Sequence, residues 1–402
     1  MMTTAVVDVQ ALESRHVLQT YRRSPVTFVR GKGVQLFDAD GREYLDLLSG
    51  IGVAALGHAH PGLAHAVAAQ AETLLHTSNL FYHPLQGQLA ERLANLSGLP
   101  RAFFCNSGTE AVEACLKFAR RYWHTKGAPR AEFVALDESF HGRTFGSLSV
   151  TSDEHYRAPF EPLLPTVKFV RTNDPAALAA AVTTSTAAII AEPVIGEGGI
   201  RPLTSAFASA ITEACAKTGA LLIADEIQSG LGRTGHPFYF QALGLKPHLV
   251  AVGKALGGGV PIGAALFSQD VADTVSYGDH GSTYGGNLLA CRAALCVLGE
   301  LFDGGVAENV KRVGVSFERR LRALAAKHAM VKEVRGAGLM WGVELTRDAG
   351  AVVPAALEHG VVVNRTAERV VRLLPPLVIT EADADEALNR LDAALGAVGA
   401  SA

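Results

Sequence analysis

Two short apolar runs, each ending in a residue that can do chemistry, constrain this chain most. Residues 220–224 (ALLIA) run into Asp225, and residues 249–252 (LVAV) run into Gly253-Lys254. Runs of four or five aliphatic residues bounded by Gly and Pro are expected to be buried strands. An open α/β sheet presents its chemistry at the carboxyl ends of its strands. One strand should therefore deliver a carboxylate, and a later one an amine, to the same edge. Lys254 sits among Val252, Gly253, Ala255 and Leu256, with no acid between Glu226 and Asp270. An ammonium there is poorly solvated, which lowers its pKa and leaves more of it as a nucleophile.

A buried carboxylate with a nucleophilic lysine is what pyridoxal phosphate (PLP) needs. The lysine forms the Schiff base, and the carboxylate keeps the pyridine nitrogen protonated so that the ring can absorb carbanion electrons. Taken alone, the pair also suits a capping aspartate and a lysine that snorkels to solvent. A third reading lies in residues 230–235, which match G-x-G-x-x-G. A dinucleotide fold needs those glycines to open a helix directly after the strand, with an acid about 20 residues on. Here Asp-Glu-Ile-Gln-Ser intervenes, Pro237 follows, and that acid is missing.

The 402 residues suffice for two domains and a large core. A formal charge of −3 makes no electrostatic case for nucleic acid or an anionic membrane. No apolar run reaches the length of a membrane span, and the start has no secretory pattern. Five cysteines without a C-x-x-C fit reduced thiols in the cytoplasm. His58 and His60 have no nearby acid or Cys that would suggest a metal, so they are expected to be loop histidines and no metal site is expected.

Along the chain, residues 1–48 are expected to form an arm and a small β-unit with strands at 34–37 and 43–47. Pro61 should start a helix to about His76. A strand at 101–105 precedes Asn106-Ser107-Gly108-Thr109-Glu110 and a helix over 111–123. Ser107 and Glu110 make a capping box, and the same helix start can hold an anion. Strands are expected at 132–136, 166–170 and 187–191, and a helix over 205–218 capped by Ser205. Alternation of strand and helix from about 100 to 268 implies a mostly parallel sheet with helices on both faces. A helix should begin near Leu288. The later part should hold a helix, a hairpin near Gly336–Gly338, and strands at 361–364 and 371–374. The expected division is residues 1–48 as arm and small-domain segment, 49–300 as a large domain, and 301–402 as a smaller α/β domain.

Seven segments in order, NSGTEA, FHGRT, EPVIGEGG, ADEIQSGLGRTG, VAVGKALGGGVPIGA, GSTYGGN and VRLLPPLVI, resemble the class III, fold-type-I PLP-dependent aminotransferases. The resemblance covers nearly the whole chain and implies the following roles. Lys254 is the Schiff-base lysine and proton carrier. Asp225 pairs with the pyridinium nitrogen, and Gln228 reaches the ring's phenolic oxygen. Ser107, Gly108 and Thr109 hold the phosphate, with Thr283 completing that site from the other subunit of a homodimer. Phe140 covers the ring, His141, Glu226 and Ile227 lie beside the cofactor, and Glu192 supports the site. Arg143, Ser282, Glu197, Arg372 and Tyr21 are expected to bind substrate.

Within the family, TYRRSPVTFVRG, SGIGVAALGHAHP and HTSNLFYHPLQGQLAERL are similar to the subgroup that acts on acetylornithine with 2-oxoglutarate. Ile51 stands where ornithine-specific relatives carry tyrosine. Ala54 and Ile195 replace an asparagine and a glutamine usual in the subgroup, at positions that could line the substrate entrance. Succinylornithine, ornithine, carrier-bound aminoadipate semialdehyde and 4-aminobutyrate are the alternative amino donors. A PLP aminomutase and a catalytically silent scaffold are the alternatives to a transaminase.

Overall fold

The computed structural model of the chain describes residues 8–400. Its strands, in chain order, are β1 (Phe28–Lys32), β2 (Gln35–Asp38), β3 (Glu43–Asp46), β4 (Arg101–Cys105), β5 (Glu132–Leu136), β6 (Val167–Val170), β7 (Thr186–Ala191), β8 (Val194–Ile195) and β9 (Arg201–Pro202). They continue with β10 (Leu221–Asp225), β11 (Leu249–Val252), β12 (Gly263–Phe267), β13 (Val331–Ala337), β14 (Met340–Leu345), β15 (Val361–Val362), β16 (Asn364–Thr366) and β17 (Val370–Leu373). A seven-stranded sheet ordered β4-β12-β11-β10-β7-β5-β6 forms the centre. Only β12 runs antiparallel to its neighbours.

The apolar runs are buried because this sheet is covered on both faces. Side chains of one strand alternate between two cores. Ile189, Leu222, Ala224, Val250 and Val252 join Phe207 and Ile211 of the helix Ser205–Thr218 and Val297 of the helix Leu288–Phe302. Ala188, Ile190, Leu221, Ile223, Leu249 and Ala251 instead meet Val112, Cys115, Leu116 and Ala119 of the helix Gly108–Thr125. The carboxyl ends of β4, β5, β7, β10 and β11 consequently open onto one edge, where the loops carry the conspicuous motifs.

Several boundaries differ from the sequence reading. The first large helix, Pro61–Thr73, stops before His76 because Leu74 is extended. Thr204, not Ser205, caps the helix Ser205–Thr218, its side chain accepting from the Phe207 N–H. Both residues are good caps, so composition alone does not choose between them. The expected strand at 361–364 is two strands broken at Val363. β15 pairs parallel with β3, whereas β16 pairs antiparallel with β17. β1 was not anticipated; it pairs with β2 across Lys32 and Gln35.

His58 hydrogen-bonds Asp46 at 2.7 Å, and His60 caps the helix Pro61–Thr73 by accepting from the Leu63 N–H. Asp46 is a partner too distant in sequence to be read there. No helix among the described residues is long and apolar enough to cross a membrane.

Candidate active site

Asp225 is the last residue of β10, and Lys254 follows β11, its immediate neighbour. Both line a cavity of roughly 270 Å³ with Gly108, Thr109, Phe140, His141, Gly142, Arg143, Glu192, Glu197, Ile227 and Gln228. Lys254 opens a short 3-10 turn in the left-handed region, at φ +41°. That conformation is uncommon for a non-glycine residue and often marks a functional position. Burial pushes its amine below the ordinary lysine range, against the pull of the Glu197 and Asp225 charges. Gly253 lets the lysine turn approach the helix start, since a Cβ there would lie 3.1 Å from the Gly108 Cα.

Asp225 is held in place from two sides. Its Oδ2 lies 2.7 Å from His141 Nδ1, and its Oδ1 accepts from the Ile227 N–H at 3.1 Å. An ionised carboxylate can only accept, so it fixes the imidazole proton on Nδ1. His141 Nε2 is buried with no hydrogen-bond partner among the described residues. Glu192 accepts from the Phe140 N–H at 2.8 Å and the Gly196 N–H at 2.9 Å, tying together the loops after β5 and β7. Burial pushes its carboxyl up to about 7, opposed by His141 and reinforced by Asp225. Glu192 thus holds the backbone that carries Phe140.

The helix Gly108–Thr125 points its amino end into the cavity. Ser107 caps it, with its Oγ accepting from the Glu110 N–H. The N–H groups of Gly108 and Thr109 have no carbonyl within the helix to reach, so an anion can take them. Thr109 Oγ1 lies 2.9 Å from Thr144 Oγ1 and 2.6 Å from Ser147 Oγ. Gly142, at φ +133°, admits this contact, because a Cβ there would sit 2.2 Å from Thr109 Oγ1. Glu113, one turn along the helix, accepts from the Thr144 hydroxyl and from the Gly146 and Ser147 N–H groups. Thr144, Ser147 and Glu113 were not singled out in the sequence. The only signal was Glu113 following Thr109 at helical spacing.

Two arginines serve the site in different ways. Arg372, in β17, is buried, with its fork occupied by Glu197, Asn364 Oδ1 at 3.1 Å and Gln228 Oε1 at 3.4 Å. Its side chain is 1% exposed and that of Glu197 is 36% exposed, so the acid is the partner with room to leave. Burial raises the Glu197 carboxyl, but the Arg372 guanidinium outweighs it and holds it below the ordinary range. Arg143 is exposed, with its guanidinium stacked 3.4 Å over the Tyr156 ring and 5.5 Å from Phe140.

Some expected residues lie apart from this cavity. The Glu226 side chain is turned away, because Ser229 Oγ and the Phe240 N–H take its two oxygens. Tyr21 is exposed and lines a groove of the amino-terminal arm. Ser282 Oγ accepts from Asn106 Nδ2 and the Gly285 N–H, while Thr283 is exposed on the same loop. Ile195 is fully buried in the main core and so does not line an entrance. Ala54 is half-buried.

The donor set fits a phosphorylated pyridine aldehyde. A helix start suits the phosphate, an acid at the far strand end suits a ring nitrogen, Phe140 and Ile227 supply apolar walls, and a charge-poor amine suits the aldehyde carbon.

Comparisons with known proteins agree with this geometry. The signature of the aminotransferase class-III family matches residues 18–395. An acetylornithine aminotransferase from Methanocaldococcus jannaschii is 46% identical over 95% of this chain and 96% of its own. The structure of an ornithine aminotransferase from Toxoplasma gondii, with PLP partly occupying its active site, superposes with a TM-score of 0.94. It is 34% identical, over 100% of this chain and 96% of that one. An N-acetylornithine aminotransferase from Stenotrophomonas maltophilia superposes with a TM-score of 0.85 at 34% identity, over 98% and 100% of the two chains.

Proposed function

Because this chain belongs to the aminotransferase class-III family, we propose that it moves the δ-amine of N-acetylornithine to 2-oxoglutarate, giving N-acetylglutamate semialdehyde and glutamate. It is a PLP-dependent transaminase with an amino donor and a keto acid as its substrates. When bound, PLP supplies an electron sink for the carbon that loses its proton.

The residues divide the remaining work. Lys254 Nζ, kept short of protons by burial, would hold the cofactor's aldehyde carbon until the substrate amine displaces it, and the freed amine would then take the proton from the substrate carbon bearing the amine. Asp225, braced by His141, would keep a proton on the ring nitrogen. The Gly108 and Thr109 N–H groups and the Ser107 and Thr109 hydroxyls would hold the phosphate. Phe140, on the backbone that Glu192 holds, would cover the ring, and Gln228 would reach its phenolic oxygen.

The observation that carries the substrate reading is the unequal state of the two arginines. Glutamate has a carboxylate beside its amine and another at the far end. N-acetylornithine, reacting at its δ-amine, has only the far one. Arg143, with no ion pair among the described residues, suits the carboxylate common to both. Arg372 is needed for glutamate alone, and Glu197 neutralises it otherwise. An unpaired buried guanidinium beside methylenes would be costly.

A homodimer with shared sites is part of the same proposal. Asn79 bonds the Ser282 and Gly285 carbonyls, joining the 76–86 segment to the loop that carries Thr283. Leu80, Phe81, Tyr82 and Tyr284 are exposed around that junction, an apolar surface that suits a partner subunit. The five free thiols support a reducing, cytoplasmic setting.

A donor comparison with 2-oxoglutarate as acceptor tests the substrate. N-acetylornithine should exceed N-succinylornithine, ornithine and 4-aminobutyrate in kcat/KM. A clear preference for any of the others would reassign the donor and leave the transaminase standing.

A further inference from the structure

Arg143 is a long, exposed side chain asked to meet a carboxylate at a fixed place. Such a side chain carries much rotamer freedom, and something must hold it. An acidic partner would occupy the guanidinium's edge, which is where a substrate carboxylate docks. That is the situation of Arg372, whose fork is filled by Glu197, Asn364 and Gln228. Arg143 has no ion pair among the described residues; its guanidinium carbon lies over the Tyr156 ring, 3.4 Å from the centroid, a distance that suits a stacked cation. Stacking uses the face of the cation and leaves its in-plane N–H donors free.

Tyr156 is itself anchored. It belongs to the short helix Glu154–Arg157, whose start is capped by Asp153 accepting from the His155 N–H. Its ring meets the Phe140 ring edge-on, with centroids 6.4 Å apart and planes at 86°. It therefore spans the side chain expected to cover the cofactor and the one expected to take the far carboxylate.

We propose that Tyr156 is a positioning residue that holds Arg143 by its face, keeping the edge of the guanidinium ready for the far carboxylate of both substrates. This rests on the role given to Arg143 above. It explains why one site carries two differently held arginines. The cation needed in both half-reactions is held by a ring that does not compete with substrate. The cation needed in only one is held by a carboxylate that does compete. The ring's face, not its hydroxyl, carries the effect, since no hydrogen bond holds that hydroxyl among the described residues.

The test is a double-mutant cycle on the PLP-loaded enzyme, read by single-turnover kinetics with glutamate and with N-acetylornithine. Tyr156→Leu should weaken the apparent Kd of both substrates about three- to tenfold, the range expected for a partly exposed cation on a ring. The limiting rate and PLP affinity should stay near wild type. Tyr156→Phe and Tyr156→Trp should keep the wild-type Kd. In an Arg143→Ala background, Tyr156→Leu should add almost nothing. If Tyr156→Leu is poorly folded, Tyr156→Gln supplies the non-aromatic arm.

An equal loss in the Phe variant, or an undiminished loss in the Arg143→Ala background, would overturn the proposal. So would an unchanged Kd in the non-aromatic variants. Glutamate serves as substrate whichever donor the enzyme prefers. Failure of N-acetylornithine alone would therefore count against the donor assignment and not against Tyr156.

Discussion

Glu226 shows how a site motif can contain a residue with a structural task. In the sequence it is one member of ADEIQSG, indistinguishable from the acid beside it. In the fold, β10 ends at Asp225, and the next side chain points behind the sheet edge to Ser229 and the Phe240 N–H. Burial pushes its carboxyl up to about 8, from an ordinary value of 4.5. Between those values the folded protein keeps a proton that the unfolded chain releases. Its contribution to stability is complete below the unfolded value and declines as pH rises through the folded one. The thermal midpoint of the cofactor-free protein should fall as pH rises from about 4.5 to about 8, and Glu226→Gln should flatten that fall. The amide can keep both contacts without gaining charge. Thermal unfolding of both proteins across this range checks it, and parallel curves would contradict it.

At the scale of elements, the central strands were legible because a parallel sheet buried on both faces demands apolar runs. Their carboxyl-end loops announced most of the residues that line the cavity. Contacts between those loops were not legible. The pairing of His141 with Asp225 and the stacking of Arg143 on Tyr156 depend on which strands are neighbours, and no local spacing encodes that. The bracing of the loop after β5 is a similar case. Glu113 reaches from the helix Gly108–Thr125 to cap the short helix Phe145–Ser149, with the Thr144 hydroxyl on the same carboxylate. Losing a helix cap costs about 1 kcal/mol. Glu113→Ala should therefore weaken PLP binding about fivefold through the loosened Thr109–Thr144–Ser147 cluster. A PLP titration checks this, and unchanged affinity would show that the cluster stands without Glu113.

Across the whole molecule, a late segment returns to an early one: β15 pairs with β3 in the β1–β3 sheet, while β17 brings Arg372 to a site built mainly from the central sheet. This long-range closure was hidden in the sequence, because Val361 to Asn364 looks like one strand and serves two sheets. If Thr283 acts across a dimer, then mixing inactive Lys254→Ala with inactive Thr283→Ala subunits should restore activity. About a quarter of the wild-type level is the ceiling for random pairing with one complete site per mixed dimer. Absence of rescue in verified mixed dimers would place Thr283 within its own subunit's site or outside the chemistry. One site would serve two substrates because Glu197 releases Arg372 for glutamate alone. Single-turnover rates of the two half-reactions in Glu197→Ala test it most directly. The glutamate half should be retained or accelerated, and the N-acetylornithine half should slow by about tenfold or less, because the exposed side of Glu197 lets water soften the loss of the pair. Equal slowing of both halves would contradict the account and make Glu197–Arg372 a structural pair.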